Sequence, residues 1–179
     1  MLVLGSEGGT ALMAIPAGVL LLAGGAKLVF PARATSGVAE AGLPAWATRP
    51  LGGLEAAVGA LCLMRPSTLS LAAMAVLYGG FAMWSGVRLA RGRRGGCGCL
   101  WGDEQLDGVH VAVDVALAAV SLAAAFRPPP SLPSVIGAHP LLAAPLVAGL
   151  CCGAYCVTLV MRHLSESFAA YRPAREAEG

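Results

Sequence analysis

Five apolar stretches, each close to the length of a membrane crossing, leave this chain few ways to fold. They run over about residues 10–30, 47–64, 68–89, 108–126 and 141–161, against a requirement of about 17–25 residues per helical span. Charge inside them is sparse: Lys27 in the first, Arg49 at the start of the second with Glu55 further in, Arg88 near the end of the third, Asp114 with His110 in the fourth, and none in the fifth. Only 12% of the residues are charged and 57% are hydrophobic, whereas a soluble domain carries about a quarter charged residues. Too little polar material remains to cover a globule, so the bilayer is the expected solvent. Backbone groups in lipid must be satisfied within their own segment, which makes every stretch a helix. The expected fold class is an all-α integral membrane protein, multi-pass in a plasma membrane. The first nine residues contain no Lys or Arg, so the first stretch reads as a retained span rather than a signal peptide.

The connections divide the chain. Pro31 ends the first helix, and Arg65-Pro66-Ser67 makes a tight return. Residues 1–127 form a four-span domain with a polar loop at about 91–107. Residues 128–140, rich in proline, form a stiff extended linker. A fifth span follows over 141–163, then a charged, solvated tail over 164–179. With five spans, ten of the twelve Lys and Arg residues fall on one side (Lys27, Arg33, Arg49, Arg88, Arg91, Arg93, Arg94, Arg162, Arg172 and Arg175), leaving Arg65 and Arg127 on the other. The positive-inside rule then puts the 91–107 loop and the C-terminus in the cytoplasm.

That loop contains Arg91-Gly92-Arg93-Arg94-Gly95-Gly96-Cys97-Gly98-Cys99. Cysteines two residues apart approach bonding distance only if the chain turns between them, and Gly98 permits the turn. The bond would close a small strained ring, and strained exposed disulfides are the labile or catalytic ones. Neighbouring arginines favour the thiolate, which attacks disulfides and binds soft metals. Cys97 and Cys99 are therefore candidates for a redox dithiol or a soft-metal pair, against the bland alternative of an unused loop pair. In the fifth span Cys152 and Cys156 share a helix face, beside Cys151, and are possible resolving thiols or, equally, small packing residues. Gly149 and Gly153 would admit a neighbouring helix. Cys62 reads as packing. Charges at membrane depth face the bundle interior and pair, so Lys27 and Glu55, opposite in sign on consecutive helices, are the expected structural salt bridge. His110 and Asp114 stand one turn apart, a spacing that lets Asp114 orient an imidazole able to pass protons as the thiols cycle.

Taken in order, these pieces resemble the MauE family of methylamine-utilisation membrane proteins, within the wider DoxX-like group. The likeness rests on Ala23-Gly24-Gly25-Ala26-Lys27-Leu28 with Pro31, on Pro50, Glu55, Gly59 and Leu61, on Arg91-Gly92 followed by Cys97-Gly98-Cys99, and on Asp114. It covers about residues 10–126. Leu100-Trp101-Gly102 is one residue longer than the family's usual Phe-Gly continuation, and Val113 replaces the usual basic neighbour of Asp114. The resemblance implies a four-helix bundle core and a role in making or transferring disulfides while the small subunit of methylamine dehydrogenase matures. It also implies that the cysteine pair faces an oxidising compartment, opposite to the charge count, which is followed here.

The leading expectation is a thiol–disulfide redox protein: Cys97 and Cys99, assisted by His110 and Asp114, exchange with a protein partner. The alternative is a soft-metal carrier, since Cys151-Cys152 with a second pair is similar to the mercury-transport membrane proteins. A third possibility is a non-catalytic membrane subunit. No quinone or nucleotide fingerprint is present. No cofactor, no resident metal and no nucleic-acid partner are expected.

Overall fold

The computed structural model describes residues 6–32, 44–92 and 106–176, with side chains from Gly8 to Val160 except Leu142. Cys97 and Cys99 lie outside the described residues. Among the described residues six α-helices are bounded: α1 Ser6–Val29, α2 Thr48–Met64, α3 Thr68–Ala90, α4 Gly108–Phe126, the short α5 Leu132–Ala138 and α6 Ala143–Glu176.

Local chemistry sets the helix ends. Ser67 and Ser70 form a reciprocal capping box that starts α3, and Asp107 caps α4 by accepting from the backbone N–H groups of Val109 and His110. Each supplies acceptors for donors that a helix start leaves unpaired. Gly92, at φ +70°, closes α3, a left-handed conformation that glycine enters without a steric penalty. The residues between Gly92 and Leu106 thus leave and rejoin the bundle at one end, called here the loop end.

Helices α1 and α2 form one closely packed pair and α3 and α4 another. A β-carbon on Gly24 would sit 2.5 Å from the carbonyl oxygen of Gly52, and one on Gly59 would sit 2.7 Å from that of Ala17. The α1–α2 seam is therefore backbone against backbone. Between the pairs lie Met13, Leu20, Leu71 and Met74, all fully buried. The Tyr78 hydroxyl donates to the Pro16 carbonyl at 2.7 Å, joining α3 to α1 beside the proline within that helix. On the outside, Leu12, Leu54, Leu61, Val76, Met83, Val115 and Leu122 are exposed on spanning helices, a ring suited to hydrocarbon.

Among the described residues, four helical segments are long and apolar enough to cross a membrane: Gly8–Val29, Thr68–Ala90, Gly108–Phe126 and Ala143–Val160. The second expected span, α2, has 17 residues. At 1.5 Å per residue it covers about 26 Å, a little short of a typical hydrocarbon core.

One expectation needs correction. The 128–140 segment is not extended throughout, because α5 occupies Leu132–Ala138. Ser131 caps it by accepting from Ser134 N, and Pro133 stands in its first turn, where a missing N–H costs nothing. Leu132 and Val135 are buried, so α5 packs apolar side chains at the end of the bundle away from the loop. Beyond the fifth span, α6 continues through the charged segment to Glu176. Its 34 residues reach about 51 Å, well beyond one membrane thickness.

Candidate functional site

Buried polar side chains gather at the loop end. The last turns of α1 and α3 and the first turns of α2 and α4 meet there, bringing Lys27, Thr48, Glu55, Ser85, Arg88, His110 and Asp114, each at most 7% exposed.

The Lys27 ammonium donates to both oxygens of Glu55, at 2.7 and 2.6 Å. Glycine makes this geometry possible. A β-carbon at Gly52 would meet that of Lys27 at 2.7 Å, so only a bare backbone lets the lysine lie across α2 and reach the carboxylate one turn further on. The ammonium also stands 5.9 Å from the centre of the Phe81 ring, close enough for a cation–π attraction. A charge from α1, a carboxylate from α2 and a ring from α3 therefore share one buried point.

On α4, His110 is held differently from the sequence expectation. Its Nδ1 is 2.9 Å from Asp107 Oδ1, the same oxygen that caps the helix. The residue orienting the imidazole is Asp107, not Asp114. The N-cap places its carboxylate beside the first turn, where His110 stands, whereas Asp114 lies a turn deeper. An ionised carboxylate only accepts, so the ring donates to it from Nδ1. Asp107 was legible as a cap from its place before an apolar helix, but nothing in the sequence linked it to the ring.

Asp114 is 4% exposed, lies within electrostatic reach of His110 and Lys27, and its Oδ2 accepts no hydrogen bond among the described residues. Ser85 Oγ and Thr48 Oγ1 are buried and unpartnered in the same sense. Arg88 packs its guanidinium over Trp84, 4.7 Å from the ring centre.

The α6 cysteines are not among these buried side chains. Cys151, Cys152 and Cys156 are free and exposed, and the described part of α6 meets the bundle chiefly through Leu150 and Ala154 beside Gly18 and through Gly153 against Ile15. Of the two glycines expected to admit a neighbour, Gly153 touches Ile15 and Gly149 meets nothing. Gly18, beside Leu150 and Ala154, precedes Lys27 by nine residues, about 14 Å of helix, whereas Val157 packs with Val113 against Ala23, about 6 Å of helix from Lys27, so Cys156 stands nearer the loop end than Cys151 and Cys152. Cys62 is buried, its sulfur 3.3 Å from the Ser70 carbonyl oxygen. No group of three or more His, Cys, Asp or Glu side chains is placed to hold a metal among the described residues.

Fold and site together define a multi-pass helical membrane protein with an ion-paired polar cluster buried at one end of its bundle. Residues 8–127 of the 179 match the family model described as methylamine utilisation protein MauE, and the chain belongs to that family. The match takes in α1 to α4 almost whole and excludes α5 and α6. No curated protein and no solved structure matches the chain.

Proposed function

We propose that this MauE-family protein carries out thiol–disulfide exchange through Cys97 and Cys99 on behalf of a protein partner in methylamine utilisation. What supports the reading most is the convergence of His110, Arg88 and the Lys27–Glu55 pair on the end of the bundle to which Gly92 and Leu106 tether the cysteine-bearing segment. Membrane-depth ionisable groups mark functional sites by default, and here they gather where the sequence puts its dithiol.

The step is a paired exchange. A partner thiolate attacks one sulfur of the Cys97–Cys99 disulfide, breaking that bond and forming a mixed disulfide. The partner's second thiolate then attacks its own mixed-disulfide sulfur. The partner leaves oxidised by two electrons, Cys97 and Cys99 are released as thiolates, and the two protons given up by the partner's thiols return them to the dithiol. His110 Nε2, with Nδ1 held by Asp107, is the group suited to pass those protons. Running the same exchange against a second disulfide-bearing protein restores the pair. Arg91, exposed at the start of the loop, favours thiolate over thiol. The loop end faces the cytoplasm on the charge count.

Trapping tests this directly. Cys99→Ser or Cys97→Ser should accumulate a mixed disulfide with a partner, cleavable by reductant, while the double variant should form none. If neither single variant traps a partner and the pair's redox state stays constant in growing cells, the reading fails.

A further inference from the structure

The two ion pairs leave one buried carboxylate unexplained. Glu55 holds Lys27, and Asp107 holds His110 while capping α4. Asp114 joins neither, although it is 4% exposed and its Oδ2 has no hydrogen-bond partner among the described residues. The cation within its electrostatic reach on another helix is Lys27, whose ammonium already serves both oxygens of Glu55. A carboxylate at membrane depth without a counter-charge is among the costliest groups to place there.

A second orphan lies on the neighbouring helix. Ser85 on α3 is fully buried, and its Oγ has no partner. A β-carbon on Gly86 would stand 4.0 Å from Val111 Cγ1, which fixes the level at which these antiparallel helices pass. Counting 1.5 Å per residue from that contact, Ser85 and Asp114 differ by about 3 Å in depth. An acidic oxygen on α4 and a hydroxyl oxygen on the closely packed α3, both buried, not bonded to each other and unpartnered among the described residues, therefore sit at nearly one depth in the bundle.

We propose that Asp114 and Ser85 form an exchangeable site for one monovalent positive charge, a proton or a small alkali cation, within the bundle. The chemistry is shared by both occupants: the carboxylate gains its missing counter-charge, and the hydroxyl supplies a second oxygen. The charged or titratable neighbours are Lys27 from α1, Glu55 from α2, Arg88 from α3 and His110 from α4, while the described side chains of α6 bring no charge. Loading the site leaves the Lys27–Glu55 pair intact, and the proposal does not depend on the cysteines.

Dicyclohexylcarbodiimide, an apolar reagent that modifies carboxyls only in their protonated form, provides the test. Full-length protein in detergent is treated with it, and adducts are mapped by mass spectrometry, with Asp114→Asn as the mapping control. We expect an adduct on Asp114 and not on Glu55. If the occupant is a proton, labelling falls as pH is raised from about 6 to about 9 and ignores sodium. If it is an alkali cation, sodium chloride suppresses labelling at constant pH and choline chloride does not. Ser85→Ala, a small deletion, should shift the midpoint of whichever titration applies by about tenfold in cation concentration. The proposal is overturned if Asp114 forms no adduct, if its labelling responds to neither pH nor sodium, or if Ser85→Ala leaves the midpoint in place. A failed cysteine trap would leave all of these outcomes unaffected.

Discussion

Lys27 and Glu55 show what a single pair contributes when no water is near. Removing one partner strands the other in a buried, low-dielectric site, which costs about 3–5 kcal/mol, whereas replacing both by apolar side chains of similar volume is often near neutral. Lys27→Met and Glu55→Leu should therefore each depress the melting temperature in detergent sharply, and the double variant should recover most of the loss. Thermal unfolding of the four proteins closes the cycle. At His110 the expectation concerns rate. If Nε2 passes protons, His110→Ala should slow thiol exchange by about 10²-fold. Asp107→Asn, which keeps a capping oxygen, should retain the fold but alter the pH profile of exchange. The ion pair was legible in the sequence, because opposite charges on consecutive apolar helices have few other partners. The imidazole's partner was not: Asp107 and Asp114 are three and four residues away, and only the cap geometry separates them.

Helix packing turns on which member of each glycine pair faces the seam. Gly24 and Gly52 lie against the opposing backbone, while their neighbours Gly25 and Gly53 have nothing within 4 Å. Gly24→Ala and Gly52→Ala should cost about 1–3 kcal/mol through overpacking, and should also move Lys27 away from Glu55. Gly25→Ala and Gly53→Ala should be neutral or mildly stabilising, since alanine is the better helix former by about 1 kcal/mol. Unfolding midpoints of the four single variants decide the matter. Sequence placed the helices well, and α4 was read as 108–126 and found at Gly108–Phe126. Which glycine of a pair is buried depends on helix rotation, and a helix apolar on nearly every side gives no clue to it. The proline-rich connector misled for another reason: Pro128-Pro129-Pro130 suggested extension throughout, but Ser131 with Pro133 is a helix start.

At the scale of the whole molecule, a family-matched body of four helices carries the polar cluster, and α6 stands at its side. That asymmetry explains why the chemistry reads mainly from residues 8–127 and why the α6 cysteines were ambiguous. A cysteine in an apolar helix looks the same in sequence whether it faces a core or lipid. The charge distribution makes a test of orientation. Ten of the twelve Lys and Arg residues were counted on the loop side, so a membrane-impermeant maleimide should leave Cys97 and Cys99 unlabelled in intact cells and label them in inverted vesicles. Labelling in intact cells would reverse the assignment and put the pair in an oxidising compartment.

The buried pair also bears on how the protein is made. A helix released into lipid with Lys27 alone would carry an uncompensated ammonium, at about 3 kcal/mol if it lay near the membrane centre, and α2 is short and buries Glu55 two turns in from Arg49 at its start. Each charge cancels the other only when the two helices are already side by side. The α1–α2 hairpin therefore has reason to leave the insertion machinery as one unit, with the first helix held back until the second has been synthesised.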